Sequence, residues 1–515
     1  MLVKNIISVL NILLTKGAIV MKTQQSKELL NGVLPDSAKE TSKNSATVTS
    51  QDSAPASRKE TKLSFLEQFG YFSGDFGGSL VNLYISAFYV TFCTYVLGIS
   101  PAWMATLIFV AKIWDAINDP MIGSLPDRFK IGKGTDKFKP WIRLFMVPLA
   151  LTGLMCFTNT ASMPDIIKHA WVAVSYILYG MAYTGVSMPY GAMASVITDS
   201  PVERTKLSRA RAFGGMGVGI LFIPLVSLAI WDEAGNPNAK GYFLMAIVAG
   251  VLSVIFYLIL LGLTKERIHQ EHRFAGASAR KYSLTHVVKE TFTNRALIAV
   301  MIASIGSMFA SAQSMNNFLY KEYYHMPKAM AASSMISLPM MFVAFFAVPR
   351  LAKIIGNRKL IIYSAIYSMI AFGILFLVKI PNCYVFMFVN TVANLGLTTF
   401  TMLVWALVTE SIDYQEYKSG ERSDGTMYSI YTFSRKIGSA AAASISTALI
   451  GQAGFVAGAK EQIPEFGENI RKLVILMPLF GAVVILVSIL FIYPLTKKKS
   501  DEMYAKLHEM HEAKN

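Results

Sequence analysis

Runs of twenty or more predominantly apolar residues recur along this chain from about residue 71 to residue 496. Each run is long enough to cross a hydrocarbon core of ~30 Å as a helix. A lipid solvent leaves no water to satisfy open sheet edges, so spanning segments of this length fold as helices. Composition agrees: of 515 residues, 53% are hydrophobic and only 16% charged, where a soluble domain carries about 25% charged residues. The expected fold is an all-α membrane protein with twelve transmembrane helices. The first six spans lie near 71–97, 102–125, 140–160, 169–196, 208–231 and 241–264. The second six lie near 295–320, 329–349, 359–379, 383–409, 425–451 and 472–495.

The chain divides accordingly into a disordered tail (1–62), a first six-helix half (63–264), a polar basic loop (265–294), a second six-helix half (295–496) and a short tail (497–515). The first tail is rich in Ser, Thr, Lys and Ala, a composition that buries too little to order itself. Its apolar stretch Ile6–Leu14 is too short to span and no clear cleavage site follows; Met21 offers an alternative start. Cys93, Cys156 and Cys383 sit within or beside apolar runs without metal-ligand spacing, and read as buried, inert thiols.

The net charge of +16 would suggest nucleic acid in a soluble protein. Here the bases gather in alternate loops, and the bilayer is the expected partner instead. One basic loop holds Arg128, Lys130, Lys133, Lys137 and Lys139; the central loop runs from Lys265 to Arg295; another holds Arg350, Lys353, Arg358 and Lys359; the end holds Lys497, Lys498 and Lys499. The positive-inside rule puts these loops and both termini in the cytoplasm of a multi-pass inner-membrane protein. The turns at Gly123–Arg128 and Val348–Lys359 repeat each other at equivalent places in the halves. Two six-helix halves with such turns resemble the layout of major facilitator transporters, and Gly123-Ser-Leu-Pro-Asp127-Arg128 is similar to a loop motif of that superfamily.

Ionisable residues inside a span cost roughly 2.5–3.5 kcal/mol each on insertion scales and call for a role. Span one carries Asp75, span two carries Lys112, Asp115 and Asp119, span five begins with Arg209 and Arg211, and span eleven carries Arg435 and Lys436. Asp115 and Asp119 are four apart, one above the other on a helix face, with Lys112 nearly in line. Two carboxylates so close need a cation or a proton between them. That is the chemistry of a coupling site, and equally of a salt bridge that locks helices; Asp119, just before Pro120, suits the second role better. Arg211 and Lys436 are positioned to balance these acids or, for Arg211, to donate to sugar hydroxyls. Arg209 and Arg435 read as helix-end residues able to snorkel to headgroups. Trp405, Tyr428 and Tyr431 can stack on an apolar sugar face or serve as ordinary interfacial aromatics.

Acidic and basic groups also mark the cytoplasmic ends: Asp127, Arg128, Arg204 and Lys206 in the first half; Glu410, Asp413 and Glu416 in the second. They read as a gate that pairs when the outside is open and parts when the inside is open, or as ordinary helix-end charges.

Together these residues resemble the glycoside–pentoside–hexuronide:cation symporters, the group that contains melibiose permease. The similarity runs from about Phe69 to Lys497. It rests on Phe69-Gly-Tyr-Phe-Ser-Gly-Asp75-Phe, on Trp114-Asp115-Ala-Ile-Asn118-Asp119-Pro120-Met-Ile-Gly123, on Lys137-Phe-Lys-Pro140-Trp, and on Ile412-Asp413-Tyr-Gln-Glu416-Tyr leading to Gly420-Glu-Arg-Ser-Asp-Gly425. The resemblance implies a major facilitator that takes up a sugar with Na⁺ or H⁺. It implies that Asp75 and Arg211 contact the sugar, that Asp115 and Asp119 hold the monovalent cation, and that Lys436 lies near them. Lys112 keeps the charge of an Arg in melibiose permease. The pattern departs on helix four, where Ser187-Met188-Pro189 stands in place of an Asp-Ile-Pro. Ser187 still offers a hydroxyl, and the coupling ion and the sugar stay open. No cofactor beyond the coupling ion is expected.

Other classes fit less well. A membrane glycosyltransferase needs a catalytic extramembrane region, and no expected external loop exceeds about twenty residues. A sugar sensor would favour a long folded tail, whereas 501–515 is a short charged stretch. The expectation is therefore a transporter and not an enzyme, with exchange as the alternative to symport.

Overall fold

The computed structural model describes residues 62–512, apart from 130, 132–134, 199, 269–293, 311–312, 421–423 and 460. The expected N-terminal tail and nearly all of the central loop lie outside the described residues. The first half holds α1 (Phe65–Thr91, continued by a π turn Phe92–Val96), α2 (Pro101–Gly123), α3 (Lys139–Cys156), α4 (Asp165–Ile197), α5 (Pro201–Ala229) and α6 (Ala239–Leu263). The second half holds α7 (Arg295–Phe309, resuming as Gln313–Phe318 and a π turn Leu319–Tyr323), α8 (Met330–Ile355) and α9 (Asn357–Leu377). It continues with α10 (Cys383–Ala393 and Leu395–Ser419), α11 (Asp424–Gln452) and α12 (Pro464–Val487, with a π turn Ser488–Ile492). A surface helix, α13 (Lys497–Glu512), follows.

Local chemistry sets the helix starts. Ser64 and Glu67 form a reciprocal capping box at α1. Ser100, Asn238, Asn294 and Asn382 cap α2, α6, α7 and α10 through their side-chain oxygens. Pro201 and Pro464 open α5 and α12, where a missing N–H costs nothing. Several helices run beyond the apolar stretches that mark them in sequence. α5 starts seven residues before the expected 208, and α10 ends ten residues after the expected 409. The extra turns carry Glu203, Arg204 and Lys206, or Glu410, Asp413 and Glu416, so hydropathy alone cannot register them.

Eight helices among the described residues are long and apolar enough to cross a membrane. The four long helices that fall short are α2, α3, α4 and α11. α2 and α11 hold most of the midspan charge, and α4 packs against α2. In α2 and α11 the polarity that hides them from a hydropathy criterion is that of midspan charges, whereas α3 is short and carries Lys139 and Arg143 in its first turns.

Within the first half, α1 packs on α5 and α6, and α3 on α4 and α6; within the second, α7 packs on α10, α11 and α12, and α9 on α10 and α12. Across the halves, α2 meets α11, α5 meets α8, and α1 meets the second segment of α7. This is the major facilitator arrangement of two six-helix bundles face to face. The halves are joined at the end away from residues 62 and 512. There the Asn317 amide donates to the Ala87 carbonyl at 2.8 Å, the Tyr95 hydroxyl donates to Glu322 at 2.7 Å, and the Gly458 N–H donates to the Thr94 carbonyl at 3.1 Å. Phe318 and Phe455 pack on the Tyr95 ring with centroids at 5.2 and 5.0 Å.

At the other end, Glu266 receives the backbone N–H groups of Lys137 (2.6 Å), Phe138 (3.0 Å) and Lys139 (2.9 Å). One carboxylate thus satisfies the first turn of α3, where unpaired N–H groups and the helix dipole favour negative charge. Arg267, next along, pairs with Glu67 on α1. The three cysteines are buried and free.

Candidate functional site

Asp75 lies on α1, ten residues in from Phe65, and its carboxylate accepts from the Arg211 Nε of α5 at 3.2 Å. Ser79, one turn on, donates to the same group at 3.5 Å. Gly214 makes the approach possible: a Cβ there would sit 2.8 Å from the Asp75 Cβ, the Phe72 carbonyl oxygen and the Phe76 nitrogen. The Arg211 guanidinium also lies 5.3 Å from the ring centre of Tyr190 on α4. Tyr190 is held in turn by a reciprocal link to α1. Its hydroxyl donates to the Tyr71 carbonyl at 2.7 Å, the Tyr71 hydroxyl donates back to the Tyr190 carbonyl at 3.3 Å, and the rings stack at 4.7 Å. Asp75 and Arg211 are therefore fixed by three helices of one half.

The α2 acids lie close by, on the side of the other half. Asp115 is 3.6 Å from the Lys112 ammonium. Gly180 of α4 lies against its carboxylate, where a Cβ would come within 2.8 Å of Oδ1. Asp119 accepts from the Thr184 hydroxyl at 2.7 Å and forms a salt bridge with Lys436 of α11. The acid that suited a purely structural role in sequence thus carries an ion pair across the interface. Asn118 between them is buried, and its Nδ2 has no partner among the described residues.

Lys112 also lines a cavity of about 240 Å³ between the halves, together with Asn82, Tyr176, Tyr179, Ser439 and Ser446. On the second half, Trp405 stacks on Tyr428 at 5.8 Å and meets Tyr431 edge-on at 5.5 Å. The Tyr431 hydroxyl lies 3.1 Å from that of Ser304 on α7. Arg435 lies over Trp405 at 5.5 Å and eleven residues into α11, so it is not the helix-end residue expected from the sequence. Ser187, one turn beyond Thr184, is half-buried and makes no side-chain hydrogen bond among the described residues.

Three of the end-of-helix charges, Arg204, Glu410 and Asp413, have hydrogen-bond partners on their own side of the bundle. Arg204 donates to the Thr198 carbonyl at 3.0 Å, closing the end of α4. Asp413 accepts from the Tyr504 hydroxyl of α13 at 3.2 Å, and Glu410 accepts from Tyr493 at 2.7 Å and from Ser500. Glu416 is buried and Arg128 exposed. The Asp127 side chain lies outside what the structure describes.

Sequence reasoning did not single out Thr184, Gly180, Tyr190 or Gly214. Thr184 was within reach, since it stands three residues before Ser187 and so shares its helix face. The others act through ring placement or by lacking a side chain, which spacing does not reveal.

The family described as "MFS/sugar transport protein" matches residues 70–497. The uncharacterized symporter YjmB of Bacillus subtilis (strain 168) is 30% identical over 87% of this chain and 96% of its own. The glucuronide carrier protein homolog of Escherichia coli (strain K12) is 24% identical over 87% and 96%. The isoprimeverose transporter of Lactiplantibacillus pentosus is 26% identical over 87% and 92%. In fold, the chain superposes with a TM-score of 0.60 on an inward-facing bacterial homologue of the lysosomal transporter Spinster, at 13% identity over 86% of this chain and 97% of that one. The chain belongs to the MFS/sugar transport protein family, and within the major facilitators to its glycoside–pentoside–hexuronide:cation symporter type.

Proposed function

We propose that this membrane sugar transporter moves a glycoside, pentoside or hexuronide together with Na⁺ or H⁺ by alternating access across the inner membrane. The observation that carries the reading is that two polar sites share the first half and that one of them is reached by a residue of the second half. Asp75 and Arg211 offer a hydrogen-bonding fork for sugar hydroxyls within the first half. Asp115, Asp119 and Thr184 offer hard oxygen donors where Lys436 of the second half already reaches in. A cation or proton arriving at Asp119 competes with the Lys436 ammonium. Binding there changes the midspan ionic contact between the halves that the described residues show, which is what coupling requires.

Orientation is read from charge. The end that holds residues 62 and 512 also holds Arg128, Lys137, Lys139, Lys265, Arg267, Arg350, Lys353, Arg358, Lys359 and Lys497–Lys499, which supports a cytoplasmic assignment for both termini. The contacts at the far end then describe an inward-facing state. The relatives named for glucuronide and isoprimeverose support an acidic or pentose-containing glycoside as cargo.

The deciding experiment is uptake of labelled glycosides, pentosides and uronides into energised cells, with and without sodium and with and without a protonophore. Concentrative uptake of at least one sugar, lost when the ion gradient collapses, is expected. Equilibration without accumulation under every gradient would replace symport with exchange.

A further inference from the structure

The midspan charges do not cancel. Lys112, Arg211, Arg435 and Lys436 face Asp75, Asp115 and Asp119. Arg211 holds Asp75, Lys112 holds Asp115, and Lys436 holds Asp119. Arg435 has no carboxylate within salt-bridge distance among the described residues. Arg209 stands two residues from Arg211, hence about 200° round α5, and is exposed. It does not enter this balance.

Arg435 does not lie loose. Its guanidinium sits over Trp405 at 5.5 Å, and Trp405 stacks on Tyr428 with the planes 24° apart. Tyr431 braces the indole edge and is tied to α7 through Ser304. The platform stays uncovered: Trp405 is 44% and Tyr428 50% exposed. Its direction follows from α11. Arg435, Ser439, Ala442 and Ser446 fall on one helix face, and the last three line the cavity between the halves. Arg435 is the next step down that face. Eleven residues from the start of α11, or roughly 16 Å along its axis, it is far from the headgroups that a snorkelling arginine would seek.

We propose that Arg435, seated on Trp405 and Tyr428, is an anion-recognition subsite that selects sugars bearing a carboxylate or sulfonate. A guanidinium presents paired donors that match two oxygens of such a group, and the aromatic faces receive the apolar face of the ring. With all three nearby carboxylates already taken, the anion comes from the substrate. The inference rests on the sugar-transport reading and narrows it.

The test uses the full chain in lipid nanodiscs and three nitrophenyl probes: β-glucuronide, β-glucoside and α-sulfoquinovoside. The wild type is expected to bind the glucuronide or the sulfoquinovoside at least about tenfold more tightly than the glucoside, and the tighter of the two tells carboxylate from sulfonate. Arg435→Gln is expected to lose about tenfold or more for the acidic probe and less than twofold for the glucoside. Arg435→Lys, which keeps the charge and loses the fork, is expected to fall between. An unchanged melting temperature of the ligand-free Arg435→Gln protein separates lost recognition from lost fold; if that variant melts early, the Arg435→Lys ratio between acidic and neutral probes decides. Equal or tighter binding of the glucoside by the wild type, or an equal loss for all probes in the variants, overturns the subsite and leaves sugar transport standing. Binding of none of the three by the wild type overturns the subsite, and the sugar-transport reading then falls only if the uptake panel also shows no accumulated sugar.

Discussion

Lys436 on α11 and Asp119 on α2 form the one salt bridge that joins the two halves among the described residues. Asp119 is mostly buried and shares its carboxylate with Thr184, whereas Lys436 is about a third exposed. Removing either partner leaves a charge in a poorly solvated place, at a cost of about 1–3 kcal/mol after allowing for the exposure of Lys436. Asp119→Asn and Lys436→Met should each lower thermal stability and abolish accumulation. The double variant should recover most of the stability and none of the accumulation. Melting curves and uptake of the cycle check this; additive stability losses would mean that the pair is not coupled.

Asp115 tests the proposed ion coupling. Asp115→Asn keeps the shape against Gly180 and removes the charge beside Lys112. Concentrative uptake should be lost while sugar exchange in preloaded vesicles continues. Normal accumulation against a gradient by this variant would remove Asp115 from the coupling site.

Asp75 tests the proposed sugar contact. Asp75→Ala strands the Arg211 guanidinium and removes an acceptor for hydroxyls, an effect of roughly 1–3 kcal/mol or some 5- to 150-fold in affinity. Expression should change little. Arg211→Lys should resemble the loss, because an ammonium has no fork. Equilibrium binding of the transported sugar gives the answer, and unaltered affinity in Asp75→Ala would exclude contact.

Tyr95 answers for the closed end. Tyr95→Phe keeps the ring between Phe318 and Phe455 and removes the hydrogen bond to Glu322. A bond of this kind contributes about 0.5–1.5 kcal/mol, enough for a two- to tenfold change in an equilibrium between states. Spin labels across the far ends of α1 and α11 should report more of the longer distance. A distribution identical to the wild type would show that the packing of the rings alone holds this end.

The sequence made the bundle legible because lipid imposes a single long apolar period, and made Asp75, Asp115 and Arg211 legible because charge within such a run stands out. It hid the ends of α5 and α10, whose charged turns look like loops. It read Arg435 as a snorkelling residue although the span expected at 425–451 already put it ten residues in, and the observed helix start at Asp424 agrees with that span. The helix-locking role that it left open for Asp119 has its partner in Lys436, 317 residues away, which no local spacing could name. Thr184 and Gly180 act on the acids by contact across helices, and no one-dimensional period records that.

The seating of Asp75 and Arg211 within one half bears on inhibition. Gly214 presses α5 against α1, and the Tyr71–Tyr190 link ties α4 to the same unit. On the proposed alternating-access cycle this half-site would travel as a rigid piece and keep its shape whichever side of the membrane it faces. Affinity drawn from it alone is common to both orientations, and a ligand with equal affinity for two states shifts neither. A compound that grips only Asp75 and Arg211 would compete with substrate from either side without arresting the carrier. One that also reaches Trp405 on the opposite body would hold the two at a single separation and lock the cycle.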